Sequence, residues 1–304
     1  MRVRVLGAAA GGGLPQWNCA CPNCRDARLG RILPLTQSCV AIGDDRGGWF
    51  LVNASPDLPV QINSFSDLRS NSLSGSLRSS PVSGVLLTNA DLDHVIGLLS
   101  LREGSRIRVY ATRAVRDSLT NGLNISAVLE SFCGVDWMES GSKDYSPLVG
   151  IDGKAGSVMY RAIELPGGPP LYDKTATRIG PHSVAYSFLD QKTGGQLLVA
   201  PDAGAWNEDL AQAAQAADAI LFDGTFWSND ELSRIKPNAR TAAEMGHLTI
   251  RDDSLERLRK LPARHKIYLH INNTNPALSP DSQERAAVEA AGVTVGYDGL
   301  EFEV

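Results

Sequence analysis

The sequence predicts a chain in which strands and helices alternate. Short apolar runs at 85–87, 107–111, 196–201, 219–222 and 266–269 have the length and content of buried strands. Helical stretches between them start at capping residues: Asn207, with acids in the first turn, and the spacings Thr241-x-x-Glu244 and Asp281-x-x-Glu284. Ligand-type side chains stand just past several strand ends. With 304 residues, 43% hydrophobic and 21% charged, the chain has the make-up of an ordinary globular protein. We read one domain over 1–304, with two αβ halves meeting near the glycine- and serine-rich stretch 140–156. A net charge of -5 argues against nucleic acid as a partner. No apolar run reaches transmembrane length.

Taken in order, residues 2–6 alternate as a first strand rather than forming the apolar core of a signal peptide, so a cytoplasmic location is expected. Residues 7–13 are a glycine-rich turn that lacks the dinucleotide pattern; it reads as a place where backbone passes close to something. Residues 37–42 and 49–53 form a hairpin around the polar turn 43–48. Ser55-Pro56-Asp57 leads into a short helix at 58–65, and 66–84 is a surface loop. After the strand at 85–87, apolar residues over 95–101 return at helical spacing. A strand at 107–111 is followed by a helix at 112–121, stopped by Gly122. Strands at 157–164 and 183–189 flank a long irregular loop from Pro166 to Pro181. Residues 293–297 and 300–304 read as a terminal hairpin.

The five cysteines are odd in number and three are clustered, which fits a reducing compartment better than a disulfide framework. Cys19, Cys21 and Cys24 fit no single strand or helix face, but they can converge on one tetrahedral cation. Cys-x-Cys-x-x-Cys is therefore a structural zinc signal in a loop at 15–28, with one vertex left for a distant ligand, His270 or Asn273. Cys39 and Cys133 read as ordinary buried thiols.

Residues 88–94, TNADLDH, form a polar turn at the end of a buried strand. Asp91 and Asp93 sit two apart, so an extended turn can aim both at one point, and His94 follows. Such a group is costly to bury unless a cation fills it. A helix cap at Asp91 or Asp93 is the competing reading. Asp202, Asp223 and His270 likewise lie just past strand ends, so strands running side by side would bring all of these to one rim. His182 closes the long loop and reads equally well as a structural hydrogen bonder or a ligand.

The motif NADLDHVIGL resembles the metal-binding turn of the metallo-β-lactamase superfamily, His-x-His-x-Asp-His followed by a glycine and a leucine-rich helix. Asp93 and His94 match, while Asn89 and Asp91 replace the first two histidines. His182, Asp202 and His270 match the superfamily's later ligand positions. His247 matches an additional ligand of the branch that also carries the cysteine loop, and Asn273 stands where that branch has a zinc-ligating histidine. The stretches AAGGGLPQWNCACPNC, NASPD, LLSLREG, LLFDGTFW, EMGHL and HINNTNP are similar to a family of coenzyme PQQ (pyrroloquinoline quinone) synthesis proteins. The resemblance implies an α+β, four-layer αβ/βα sandwich with two mixed β-sheets. It also implies a part in making PQQ from a glutamate–tyrosine precursor, either as a carrier of PQQ or its precursor or through iron-dependent hydroxylation of the tyrosine ring.

The residues weigh these expectations. A transporter needs a membrane path, and none is present. A dinuclear zinc hydrolase needs a fuller histidine set than Asn89 and Asp91 allow. A mononuclear Fe2+ held by Asp93, His94, His247 and His270, with dioxygen as co-substrate, fits the oxygen-richer ligands. Asp91, Asp93 and His94 are the expected catalytic residues, and Asp91, His182, Asp202 and Asp223 are further ligand candidates. The expected partners are the glutamate–tyrosine precursor or PQQ and other proteins of the pathway; a homodimer is left open.

Overall fold

The computed structural model describes residues 1–70, 78–141, 143–176 and 180–304. Two seven-stranded mixed sheets are stacked, with helices outside. The first contains β1 (Arg2–Gly7), β2 (Cys39–Gly43), β3 (Trp49–Val52), β4 (Val82–Leu86), β5 (Ile107–Ala111) and β6 (Val135–Glu139). The second contains β7 (Ser146–Val149), β8 (Ala155–Leu165), β9 (Ser183–Asp190), β10 (Gln196–Ala200), β11 (Ala219–Asp223), β12 (His265–Leu269) and β13 (Thr294–Val295). The last strand, β14 (Glu301–Glu303), returns to the first sheet beside β1. The orders are β14-β1-β2-β3-β4-β5-β6 and β13-β12-β11-β10-β9-β8-β7.

Strand periodicity sorts the side chains between two layers of core. In β2, Val40 and Ile42 face the other sheet, while Cys39 and Ala41 face the outer helices. The outer layer over the first sheet comes from α2 (Leu58–Ser64), α3 (Leu92–Val95), α4 (Arg113–Asp117) and α5 (Ile125–Glu130), through residues such as Leu58, Val95, Val115 and Leu129. Over the second sheet lie α6 (Glu208–Ala216), α7 (Leu255–Lys260) and α8 (Gln283–Ala290), through Leu210, Leu258 and Val288. The short α1 (Pro22–Arg28) belongs to the cysteine loop. Between the sheets, buried tyrosines carry polar tips that must be satisfied. Tyr110 on β5 meets Tyr160 on β8 edge-on at 5.2 Å. The hydroxyl of Tyr186 on β9 donates to the Leu87 carbonyl past the end of β4 at 2.9 Å.

Several expectations need correction. The terminal hairpin does not exist: β13 pairs in parallel with β12, whereas β14 pairs antiparallel with β1 in the other sheet. The chain changes sheet around Asp298, whose carboxylate accepts from the Ala8 and Thr36 backbone N–H groups at 3.0 and 2.7 Å. The cap of α8 is Ser282, which accepts from Arg285 N, not Asp281. The helix expected at 112–121 starts at its Thr112 cap, then loosens into a π turn at Ser118–Gly122 before α5. The apolar stretch after His94 is a 3-10 segment, Ile96–Glu103. Strands β6 and β7 were not expected. β6 reads Val-Asp-Trp-Met-Glu, too polar to mark a strand alone, and β7 carries Pro147, which it tolerates because it lies at the sheet edge. Of the loop expected at 66–84, residues 66–68 form a 3-10 turn and 82–84 open β4, while 71–77 lie outside the described residues. Residues 177–179 of the second long loop lie outside them too.

Candidate metal centre

β10, β11 and β12 are parallel neighbours, so Asp202, Asp223 and His270 emerge on one edge of the second sheet. β4 delivers Thr88 to His94 on the facing edge of the first. The two edges are joined: Val184 N donates to the Thr88 carbonyl at 2.8 Å, and Asn89 Nδ2 donates to Asp202 Oδ2 at 3.0 Å. The rim expected from strand ends is thus assembled from both sheets.

Two clusters of ligand-type atoms form there, Asp93–His94–His270 and Asp202–His247–His270, each with its atoms within 4.8 Å of one another. In the first, His270 Nε2 lies 3.2 Å and His94 Nε2 3.7 Å from Asp93 Oδ2. The opposite ring nitrogens are held from behind. His94 Nδ1 is 3.1 Å from Thr88 Oγ1, which is itself bonded to Asn53. His270 Nδ1 is 2.8 Å from Thr225 Oγ1, whose hydroxyl donates to Asp223 Oδ1 at 2.6 Å. His247 Nδ1 is 2.8 Å from Asp223 Oδ2. A holder on Nδ1 fixes ring orientation and leaves Nε2 for a ligand.

The charges respond to this crowding. Burial opposes a charged His270, yet the carboxylates of Asp202, Asp93 and Asp223 outweigh it and raise its pKa to about 10. Burial would raise Asp93, but His94 and His270 hold its carboxyl well below the usual range. His247 is raised in the same way against its own burial, chiefly by Asp223. His94 Nε2 is buried without a hydrogen-bond partner and lies on the Asp93 side. A buried nitrogen left open beside a carboxylate and a second imidazole fits a divalent cation of borderline hardness. His270 adopts φ 55°, a conformation rare outside glycine that persists only where surroundings enforce it.

The remaining candidates lie elsewhere. Asp91 is at the start of α3, outside both clusters; its N–H donates to Asn89 Oδ1. His182 is buried just before β9 and belongs to neither cluster. Asp223 is fully buried behind the histidines, where it accepts from Thr225 and the Ala203 N–H and lies against His247 Nδ1, outside both clusters. Sequence reasoning missed Thr88, Asn53 and Thr225, because a threonine or asparagine at a strand end looks like a turn residue. The glycine-rich turn passes close to Asp93: a Cβ on Gly11 would stand 3.1 Å from Asp93 Oδ2.

Cys19, Cys21 and Cys24 form the third cluster. Asn273, not His270, faces them: its Nδ2 lies 3.1, 3.5 and 3.2 Å from the three sulfurs. Burial pushes the Cys21 thiol up to about 12. A zinc ion would offset that cost by stabilising thiolates, so the donor set fits it.

This architecture and rim define a metallo-β-lactamase-type protein. Residues 48–271 match the model of the β-lactamase superfamily domain, so the chain belongs to that superfamily. It is 38% identical over 99% of both chains to coenzyme PQQ synthesis protein B of Azoarcus sp. (strain BH72), and 38% identical to that of Stutzerimonas stutzeri over the full length of both. The crystal structure of Zn(2+)-bound PqqB from Methylobacterium extorquens superposes with a TM-score of 0.87 at 34% identity, covering all of both chains. A diphosphatase of the PhnP family, at 18% identity and a TM-score of 0.66, shares the fold. Within the superfamily, the chain belongs to the coenzyme PQQ synthesis protein B family.

Proposed function

We propose that this protein oxygenates the tyrosine ring of a glutamate–tyrosine-derived precursor during PQQ biosynthesis, using iron at the rim. The observation that carries this reading is the Asp93–His94–His270 cluster: one carboxylate and two imidazoles with both Nδ1 atoms held by threonines. Two histidines and one carboxylate with open positions suit non-haem Fe(II). Asp93, His94 and His270 would hold the ion, and His247 and Asp202 would flank it. Fe(II), when bound, supplies the activation of dioxygen. In the balanced reaction one oxygen atom enters a ring carbon in place of hydrogen, and the other leaves as water with two electrons and two protons from an external reductant. Asp91, two residues before Asp93 at the start of α3, and His247, in the second cluster, would move protons at the rim. His247 is held by Asp223, so its Nε2 is the atom that gives or takes one. The protein would work in the cytoplasm beside other proteins of the pathway. Zinc on the cysteine triad would be structural, with the Asn273 amide N–H groups donating to the sulfurs.

A second reading is a metal-dependent hydrolase. The Asp202–His247–His270 cluster favours it, because it adjoins the first and shares His270. The two readings separate in one assay. An oxygenase consumes dioxygen and adds mass to the precursor, whereas a hydrolase cleaves an ester or amide anaerobically. Asp93→Ala and His94→Ala abolish turnover under both readings. Unchanged pathway output in both variants, together with tight binding of PQQ, would leave only a carrier.

A further inference from the structure

The two candidate metal positions are joined by a very short stretch of chain. His270 ends β12 and faces Asp93; three residues later Asn273 faces the cysteine triad. Three residues span at most ~10–11 Å, so a shift at one end reaches the other unless something between absorbs it. Nothing slack lies between. Ile271 N donates to the Ala8 carbonyl and the Ile271 carbonyl accepts from Ala10 N, both at 2.9 Å, next to the glycine that abuts Asp93. Asn272 N donates to the carbonyl of Thr225, the residue that holds His270, at 3.1 Å. From the cysteine loop, Asn23 Nδ2 donates to the carbonyls of Asn273 and Asn275 at 3.0 and 2.8 Å.

One buried carboxylate has no place in either metal site. Glu231 is 6% exposed and carries no salt bridge among the described residues. It accepts from Trp227 N at 2.6 Å and from Thr274 Oγ1 at 2.5 Å. It therefore pins the segment after β11, which carries Thr225, to the segment after β12, which carries His270 and Asn273. Burying a carboxylate is costly, and holding these two segments in register gives it a purpose.

We propose that the segment from His270 to Asn275 couples the cysteine triad to the rim cluster, and that Glu231 is the positioning residue that makes the coupling stiff. Filling the triad with zinc fixes His270 where the Asp93 cluster needs it, and filling the rim cluster tightens zinc in return. The inference rests on the reading that the Asp93 cluster takes a divalent metal. Reciprocity follows from linkage, and couplings of this kind usually change affinity about 5–150-fold.

The test uses the full chain with zinc on the triad and the same chain after zinc is withdrawn by a chelator. Each is titrated with Mn(II), followed by electron paramagnetic resonance of the free ion. Mn(II) prefers oxygen and imidazole donors and competes poorly for three thiols. The zinc form is expected to bind Mn(II) at least about fivefold tighter. Glu231→Gln should keep one zinc and bind Mn(II), but bring the ratio below about twofold, because the amide nitrogen cannot accept one of the two hydrogen bonds. Should the zinc-free chain unfold, zinc affinity is measured instead by chelator competition with and without saturating Mn(II), and Mn(II) should raise it by a similar factor. Equal affinities in either format overturn the coupling while leaving the rim metal site intact. Equal ratios in Glu231→Gln and the parent chain overturn the role of Glu231. Absence of any Mn(II) binding that His94→Ala removes overturns the reading of the rim itself.

Discussion

Three imidazoles at the rim depend on small side chains behind them. Thr225 is the clearest case, because its hydroxyl links His270 Nδ1 to Asp223. Thr225→Val removes that link at nearly constant volume. The expected result is a ~10–100-fold loss of metal affinity at the rim, restored by Thr225→Ser and measured by metal titration. Asp223 is fully buried with His247 against it. Asp223→Ala leaves a buried imidazole without its partner and should lower unfolding free energy by ~3–5 kcal/mol, read by urea denaturation. At this scale the convergence of Asp93, His94 and His270 was legible in the sequence, because they carry chemistry that strand ends seldom need. Their holders were not. Thr225 is distinguished from an ordinary turn residue only by its pairing with His270, which a distant strand delivers, and Thr88 only by the fold of its own turn, which brings His94 back onto it.

The elements show where local pattern suffices. The hairpin of β2 and β3 follows from alternation and a polar turn between them, and its register pairs Gly43 with Trp49. The Thr241–Glu244 pair bonds as its spacing implies, with Glu244 accepting from Thr241 N at 2.8 Å, but only a short 3-10 turn, Ala243–Met245, follows in place of a longer helix. The two terminal strands were misread because strand patterns do not say which sheet a strand joins. Asp298 decides it, by tying the crossover to Ala8 and Thr36. Burial raises Asp298 to about 6, against the pull of the Thr36 hydrogen bonds. The unfolded chain then loses this proton before the folded one. The contribution of Asp298 to stability is therefore greatest below its unfolded value and declines as pH rises from about 4 to about 6, by at most ~1.4 kcal/mol per pH unit. Relative to the parent, Asp298→Asn should gain stability over that interval in denaturant titrations. A constant difference across it would contradict this assignment.

At the scale of the molecule, function is placed by the way the two sheets face each other. Among the described residues no helix is long and apolar enough to cross a membrane. The candidate site lies on the rim where β4 meets β10, β11 and β12. The Tyr186 hydroxyl helps hold that alignment by donating to the Leu87 carbonyl, one residue before Thr88. Tyr186→Phe leaves that buried carbonyl short of a donor and should cost ~1–3 kcal/mol in stability, checked by thermal or urea unfolding. The resemblance of short motifs reached the four-layer sandwich, whereas strand and helix patterns alone reached only a mixed chain. Layer order depends on long-range pairings such as β1 with β14, which local periodicity does not encode.

The most direct test is anaerobic reconstitution of the zinc-bearing protein with Fe(II), then addition of labelled dioxygen, a reductant and a glutamate–tyrosine peptide. The account expects iron-dependent oxygen uptake and one labelled oxygen atom on the tyrosine ring, lost in His270→Ala. Peptide cleaved without oxygen uptake, or peptide returned unchanged by iron-loaded protein, would contradict it.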